Sequence, residues 1–130
     1  MFTKTLSVRI NDLNLGAHLG HVEFVHLLHE VRVCYLQHKG LSEVDMLGHG
    51  VVMRHMDVTY LNPAYLYDEL QFELTIKADK LRFYFDYQVR NLTRDNAMGR
   101  ASLQMVLVHA QIGRPLRIDA TLREAMDMGV

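Results

Sequence analysis

Hydrophobic and polar residues alternate along several stretches of the chain, which is typical of β-strands with one covered face. Near the N-terminus, Leu6, Val8 and Ile10 alternate with polar residues and predict a first strand. The other candidate strands cover residues 51–61, 70–78, 81–90 and 101–109. Asp79 and Lys80 separate two of these runs, and so short a connection favours an antiparallel hairpin.

A different pattern covers residues 20–38, where apolar residues occupy more than a narrow stripe and predict a deeply embedded helix. Gly40 follows as a good C-cap residue. A short helix near the end of the chain is predicted to begin at Asp119 or at the capping box Thr121-x-x-Glu124. One strand, one long helix and about four further strands predict a single helix lying across a curved antiparallel sheet.

The stretch 12–21, Asp-Leu-Asn-Leu-Gly-Ala-His-Leu-Gly-His, connects the first strand to the long helix. At a helix N-terminus the main-chain N–H groups are unpaired and a partial positive charge collects. An oxygen that acquires negative charge could be bound there. The stretch also carries a carboxylate (Asp12), an amide (Asn14) and two imidazoles (His18 and His21). Together these groups are suited to acyl-transfer chemistry.

Each of these polar residues also has a purely structural explanation. Asp12 can pin the loop through main-chain hydrogen bonds, and Asn14 suits a left-handed turn. His18 could activate water near neutral pH or bridge the loop to the sheet. Glu30, in the middle of the helix, is a functional candidate if buried and a surface partner of His26 if exposed.

Composition narrows the class of protein further. The chain has 130 residues, enough for one domain spanning 1–130, and a net charge of −1, which gives no general attraction to nucleic acid or to anionic membranes. No apolar run of about 18 residues predicts a transmembrane helix, and residues 1–5 lack the apolar core of a signal peptide. The single Cys34 cannot form an internal disulfide. We therefore expect a cytoplasmic protein.

Two histidine pairs, His18-x-x-His21 and His26-x-x-His29, have a spacing that metal sites also use. No cysteine pair and no His-Glu-x-x-His motif accompanies them, so surface histidines are favoured and neither a metal nor a cofactor is expected. Arginine side chains suit the phosphates of coenzyme A, although each one alone is better explained as a solvated residue on the sheet. The arginines of the strand region are Arg82, Arg90, Arg94, Arg100, Arg114 and Arg117.

The order of elements resembles the hotdog fold, and the loop resembles the acyl-CoA and acyl-ACP thioesterase families built on it. Those families carry a pattern like Asp-x-Asp-x-x-x-His-Val-Asn-Asn where this chain has residues 12–21. His29–Arg32 is similar to the family's Glu-Ala-Arg. Tyr60–Pro63 and Tyr67–Leu70 resemble its Tyr-x-x-Pro and Gly-Asp-x-Leu segments. The resemblance covers nearly the whole chain and implies an α+β hotdog fold with active sites at a subunit interface.

The loop departs from the family pattern at two places. The second Asp of the pattern, often the nucleophile or general base, is Asn14 here, and an amide can serve as neither. The usual Asn-Asn pair is Gly20-His21. A variant pattern within the superfamily, Asp-Leu-Asn-x-Gly-x-His-Leu-Gly, is closer to this chain. In that variant Asp12, His18 or Glu30 must take over the role of base.

The resemblance implies an enzyme that hydrolyses an acyl-CoA or acyl-ACP thioester. The thioester carbonyl would point at the helix N-terminus, where Gly20 and His21 would donate their main-chain N–H groups. Asp12 or His18 would activate the water, and Asn14 would orient the water or the carbonyl. Tyr60 and Arg90 are substrate-binding candidates and complete the predicted site.

Two alternatives remain open at this point. Asn14 in place of Asp favours a hotdog module that binds an acyl thioester without cleaving it. A hotdog dehydratase is the other alternative, since His18 and Glu30 could imitate its histidine and carboxylate. For any of the three, the exposed edges of a long sheet favour pairing with a second copy, as a homodimer or a homotetramer.

Overall fold

An antiparallel sheet curves around one long helix in the computed structural model, which describes residues 1–109 and 113–128. The elements in chain order are β1 (Phe2–Ser7), a 3-10 turn (Ile10–Asp12), α1 (His21–His38), β2 (Gly50–Tyr60), β3 (Glu69–Ala78), β4 (Arg82–Asn91), β5 (Asn96–Val108), β6 (Pro115–Leu116) and α2 (Ala120–Ala125). The strands lie in the order β1-β3-β4-β5-β2, and β6 pairs with β5. The predicted α+β arrangement, one long helix on a sheet of five or more antiparallel strands, is confirmed.

The inner face of the sheet is built by the alternation seen in the sequence. In β4, for example, Phe83, Phe85, Tyr87 and Val89 are buried, while the residues between them face outward or are half-buried. Tyr87 carries a polar atom into this apolar layer, and its hydroxyl donates to the Leu28 carbonyl oxygen of α1 at 3.0 Å. The hydrogen bond satisfies the buried hydroxyl, so the sheet and helix pack without an orphaned polar group at this point.

Helix α1 presents one face to the sheet, where Phe24, Leu28, Val31 and Tyr35 are all buried. The Tyr35 hydroxyl donates to the Met126 carbonyl oxygen just after α2, which holds the C-terminal helix against α1. Burial raises the pKa of Tyr35 to about 12, with a smaller contribution from Asp127. In the two described ranges, no helix is both long and apolar enough to span a membrane.

The first strand ends earlier than the sequence pattern predicts. Val8 is fully buried as expected, but Ile10 is 67% exposed. The chain leaves the sheet after Ser7 and enters the 3-10 turn at Ile10, so the alternation continues beyond the strand that it predicts. The prediction that Ile10 shares the covered face was therefore wrong.

The hairpin between β3 and β4 also differs by one residue. The carboxylate of Asp79 accepts hydrogen bonds from the main-chain N–H groups of Leu81 and Arg82, at 3.0 and 2.8 Å. This cap draws Leu81 into the turn, where it is 48% exposed. The connection thus has three residues rather than two, and Leu81 does not join the buried face of β4.

Strand β2 lies at one edge of the sheet, where it pairs with β5 on one side only. Most of its residues are exposed, including Val52, Met53 and Met56 at 40–43% of their surface. An edge strand of 11 residues presents a row of unpaired main-chain groups. Its last residue, Tyr60, reaches the N-terminus of α1, so this open edge ends beside the predicted site.

Candidate active site

The loop between β1 and α1 has its shape fixed mostly by peptide groups. Its main-chain hydrogen bonds include Gly20 N to Asp12 O at 3.0 Å, Asn14 N to His18 O at 3.0 Å, Ala17 N to Asn14 O at 3.0 Å and Leu19 N to Ala64 O at 2.8 Å. Ala17 adopts a left-handed conformation with φ of 61° at the tip. The loop therefore folds back on itself, docks on the segment after β2 and delivers the chain into α1.

A pocket of about 350 Å³ opens between this loop, the first residue of α1 and the end of β2. Its lining comprises Asn14, His18, Leu19, His21, Tyr60, Leu61, Asn62, Pro63 and Met98. Four of the predicted site residues, namely Asn14, His18, His21 and Tyr60, thus meet in one cavity. It combines an apolar wall with convergent polar groups, as small-molecule sites do.

Tyr60 closes the side of the pocket formed by β2. Its hydroxyl donates to the main-chain oxygen of His21 at 3.0 Å, and its ring meets Phe24 edge-on with centroids 5.5 Å apart. Burial raises the pKa of Tyr60 above its ordinary value. Strands β2 and β5 approach each other closely here. A Cβ on Gly99 of β5 would stand only 2.6 Å from the Thr59 carbonyl oxygen of β2. Glycine at position 99 therefore lets β2 sit where Tyr60 can reach the helix.

The His18 ring packs against Tyr65, and the ring of Tyr65 is in turn covered by the Arg94 guanidinium. The His18 ring meets Tyr65 edge-on with centroids 6.5 Å apart, and its Nδ1 lies 3.3 Å from the Leu19 carbonyl oxygen. The Arg94 guanidinium lies 4.2 Å from the centroid of the Tyr65 ring. Sequence reasoning did not connect Tyr65 or Arg94 with His18, since they come from separate connections that only the folded sheet brings together.

Asp68 anchors that stack and is only 2% exposed. Its Oδ2 accepts from Asn91 Nδ2 at 2.9 Å, from Arg94 Nε at 2.7 Å and from the Tyr65 main-chain N at 2.9 Å. Burial by itself raises the pKa of this carboxyl. The three hydrogen bonds and the charge of Arg94 outweigh burial and hold the pKa below its usual value.

Asp12 lies on the loop but turns its carboxylate away from the pocket. Its Oδ2 accepts from the Arg9 main-chain N at 2.8 Å, which caps the 3-10 turn. Its main-chain oxygen accepts from Gly20 at 3.0 Å. The N–H group of Gly20 is therefore already used within the loop, and His21 is the first residue whose N–H belongs to the free end of α1.

Glu30 and Arg90 lie outside the pocket. Glu30 is exposed on α1, nine residues after His21, which corresponds to about 13.5 Å along the helix axis. Arg90 is exposed at the end of β4 and forms an ion pair with Asp95 in the hairpin to β5. The fold therefore groups Asn14, His18, His21 and Tyr60 around the cavity but leaves these two predicted residues apart from it.

Glu23 is a carboxylate that sequence reasoning missed; it does not line the pocket itself, but it lies beside Asn14, which does. Its Oε1 lies 1.9 Å from the point where a Cβ on Gly20 would stand, and the Cβ of Asn14 lies 3.3 Å from the same point. The available signal was its position three residues after the N-cap Gly20, which is where a capping-box carboxylate stands.

The two histidine pairs do not assemble a metal site. His29 Nε2 lies 2.7 Å from Glu43 Oε1, and His26 is exposed on α1. Across the part of the chain that the structure describes, no three His, Cys, Asp or Glu side chains come together as metal ligands would.

A larger groove of about 560 Å³ lies on the outer face of the sheet. Two of its charged groups form a partly exposed pair, since Asp86 lies 3.6 Å from Lys77 Nζ, and Asp86 also accepts from Ser102 Oγ at 2.6 Å. This pairing is typical of a solvated sheet face. The smaller pocket at the start of α1 is therefore the better candidate for chemistry.

The sequence pattern that defines the thioesterase-like superfamily matches residues 8–126. The chain belongs to this superfamily. The hotdog fold expected from the sequence is also confirmed, because solved thioesterase structures share this fold with TM-scores of 0.86 and 0.83. Membership of the thioesterase-like superfamily supports thioester hydrolysis as the general activity.

Solved structures similar to this superfamily member share its fold at low identity. Slr0204, a 1,4-dihydroxy-2-naphthoyl-CoA thioesterase from Synechocystis, is 21% identical with a TM-score of 0.86, covering 97% of this chain and 95% of its own. YbaW, a probable thioesterase from Escherichia coli, is 17% identical with a TM-score of 0.83, covering 98% of each chain. The protein SAV2348 from Staphylococcus aureus, solved in complex with CoA, is 17% identical with a TM-score of 0.85, covering 97% of this chain and 81% of its own. No curated protein matches the sequence significantly.

Proposed function

We propose that the protein hydrolyses acyl-coenzyme A thioesters in the pocket at the N-terminus of α1. The observation that supports this most directly is the convergence of Asn14, His18 and Tyr60 with the free end of that helix around one cavity of about 350 Å³. Coenzyme A is preferred over acyl carrier protein because Slr0204 acts on a CoA thioester and SAV2348 binds CoA.

The thioester carbonyl oxygen is proposed to face the first turn of α1. Water attacks the carbonyl carbon, the oxygen becomes negatively charged, and the carbon–sulfur bond then breaks to release coenzyme A as a thiol. The N–H group of His21 and the positive end of the helix dipole stabilise that oxygen. Gly20 takes no part as a donor, because its N–H group donates to Asp12.

The side chains of Asn14 and His18 are proposed to orient the reactants. Oδ1 of Asn14 already accepts from the Gly16 main-chain N at 2.9 Å, so its Nδ2 is the group left to donate to the thioester oxygen. His18, held edge-on by Tyr65, orients the attacking water. Fixed donors and acceptors of this kind lower the barrier because they need no reorganisation during the reaction.

A second copy of the chain is proposed to complete the site. Strand β2 leaves one edge unpaired, and its exposed Met53 and Met56 would gain apolar contacts on pairing. The pocket opens at the end of the same strand, at Tyr60 and Leu61. Pairing through β2 about a two-fold axis would therefore place the partner beside the pocket and join two sheets into one.

The test is the release of free thiol from a panel of acyl-CoAs that includes short, long, branched and aromatic acyl groups. We expect turnover of at least one member. The same acyl groups on acyl carrier protein test the preference for coenzyme A, and an enoyl-CoA hydration assay tests the dehydratase alternative. Asn14 in place of Asp favours a second candidate, a module that binds thioesters without cleaving them. Binding of an acyl-CoA with no release of thiol would establish that candidate instead.

A further inference from the structure

The pocket lacks the loop carboxylate that the family pattern supplies, since position 14 is Asn in this chain. Asp12 does not replace it, because its carboxylate caps the 3-10 turn through the Arg9 N–H group at 2.8 Å. Glu30 is exposed and about 13.5 Å along the helix from His21. The carboxylate oxygen of Glu23, in contrast, lies beside Gly20 and the side chain of Asn14.

Gly20 makes room for that carboxylate. A Cβ at position 20 would stand 1.9 Å from Glu23 Oε1 and 3.0 Å from Glu23 Cδ, so any other residue would displace the carboxylate. The backbone of Gly20 has φ of −75° and ψ of 155°, an extended conformation that every residue adopts without strain. Glycine at position 20 thus leaves the space that the Glu23 carboxylate occupies, and an added Cβ would make that flexible side chain move.

Capping of α1 does not account for the position of the Glu23 carboxylate. A glutamate at this position usually accepts a hydrogen bond from the N–H group of the N-cap residue. Here the N–H group of Gly20 already donates to the Asp12 carbonyl oxygen at 3.0 Å. The N–H group of the N-cap residue is therefore not the partner of the Glu23 carboxylate, which leaves this carboxylate available to a ligand.

We propose that Glu23 is the general base of the thioester hydrolysis, an inference that rests on the proposed function above. One carboxylate oxygen accepts a proton from the water as the water oxygen bonds to the thioester carbon. When the carbon–sulfur bond breaks, the protonated Glu23 returns that proton to the departing thiolate. The products are the carboxylic acid and the free thiol, and Glu23 is again ionised.

The first test replaces Glu23 by Gln and measures thiol release from the acyl-CoA that the wild type hydrolyses fastest. Loss of a general base lowers kcat by about 10²-fold or more, with KM nearly unchanged because the amide keeps the size of the side chain. Glu124→Gln is the matched control, since Glu124 is exposed on α2 and is expected to retain wild-type kcat.

Two further variants separate catalysis from a merely structural effect. Gly20→Ala leaves Glu23 in the chain but pushes its carboxylate aside, and should lower kcat by about tenfold or more with an unchanged melting temperature. Asn14→Asp returns a carboxylate to the adjacent side chain. In the wild-type background it should retain or raise activity, and combined with Glu23→Gln it should restore kcat by about tenfold over the single variant.

Each outcome decides between these proposals. If the wild type hydrolyses a thioester and Glu23→Gln has the same kcat, Glu23 is not the base, while the proposed function stands. If Glu23→Gln is inactive but also melts earlier, and Gly20→Ala is fully active, Glu23 has only a structural role and the inference is overturned. If the wild type releases no thiol from any substrate, the proposed function and this inference fall together.

Discussion

Arg94 stacks its guanidinium on the ring of Tyr65 at 4.2 Å from the centroid and donates from Nε to the buried Asp68 at 2.7 Å. One side chain therefore supports the ring against which His18 rests and neutralises a carboxylate that has almost no contact with water. The stability of the fold and the position of a pocket side chain depend on the same contact.

Arg94→Ala should accordingly affect stability and turnover together. It leaves the Asp68 carboxylate buried with one partner fewer, which costs about 1–3 kcal/mol of unfolding free energy. It also frees the Tyr65 ring, so kcat should fall as His18 loses its support. Urea unfolding and thiol release measure the two effects. Arg82→Ala is the control, since Arg82 forms only an exposed pair with Asp79 at 3.8 Å and should cost about 1 kcal/mol or less.

His18→Ala and Asp12→Asn should have different consequences. His18 lines the pocket, so its removal should lower kcat by about 10²-fold without loss of fold. Asp12→Asn keeps an oxygen that can accept from the Arg9 N–H group, so the loop should keep its shape and kcat should stay near that of the wild type. A large loss of kcat in Asp12→Asn, with an unchanged circular dichroism spectrum, would return the role of base to Asp12.

The interface prediction concerns the open edge of β2. Sedimentation equilibrium at micromolar concentration should show a dimer of the wild type. Met56→Lys places a charge on the exposed edge and should reduce both the dimer fraction and kcat. Val44→Lys, a similar change at a residue 88% exposed outside β2, should alter neither. A wild-type monomer with full activity would contradict both the dimer and the shared site.

The raised pKa of the buried Tyr35 hydroxyl predicts that the fold loses stability at alkaline pH. The pKa of Tyr35 in the folded protein is raised to about 12, whereas an unfolded chain ionises near 10, so folding favours the protonated hydroxyl. This contribution is fully present below pH 10 and is lost as the pH rises from 10 to 12. Tyr35→Phe should be less stable at pH 7 by about 1 kcal/mol, the value of one hydrogen bond. The difference from the wild type should shrink or reverse between pH 10 and 12 in urea unfolding. A constant difference across that range would show that the hydroxyl titrates alike in both states.

Most of the fold could be predicted because the sheet has one covered face, and that face leaves a period of two in the sequence. The errors arose where a side chain or a turn, rather than burial, set the end of an element. Ile10 continues the alternation into a 3-10 turn, and Leu81 is drawn into a hairpin by the carboxylate of Asp79.

The position of the candidate site in the chain could be predicted from the sequence, but the directions and contacts of its side chains could not. The loop was identified because it lies between a strand and a helix. The directions of Asp12 and Glu23 depend on which N–H group each one meets, and Gly20 creates the space for Glu23 only in three dimensions. Arg94 and Tyr65 lie in different connections, and no spacing in the sequence relates them to His18.

The loop that carries the polar residues is held by bonds between peptide groups at Asp12, Asn14, His18 and Gly20. Every amino acid except proline supplies the same N–H and C=O groups, so these bonds make few demands on the side chains of the loop. A reactive group can then be deleted at one position and re-established at a neighbouring one while the chain still folds along the same path. In such a loop the main-chain path and the reactive side chains can change independently. Single substitutions can therefore alter the chemistry of a small domain without altering its fold.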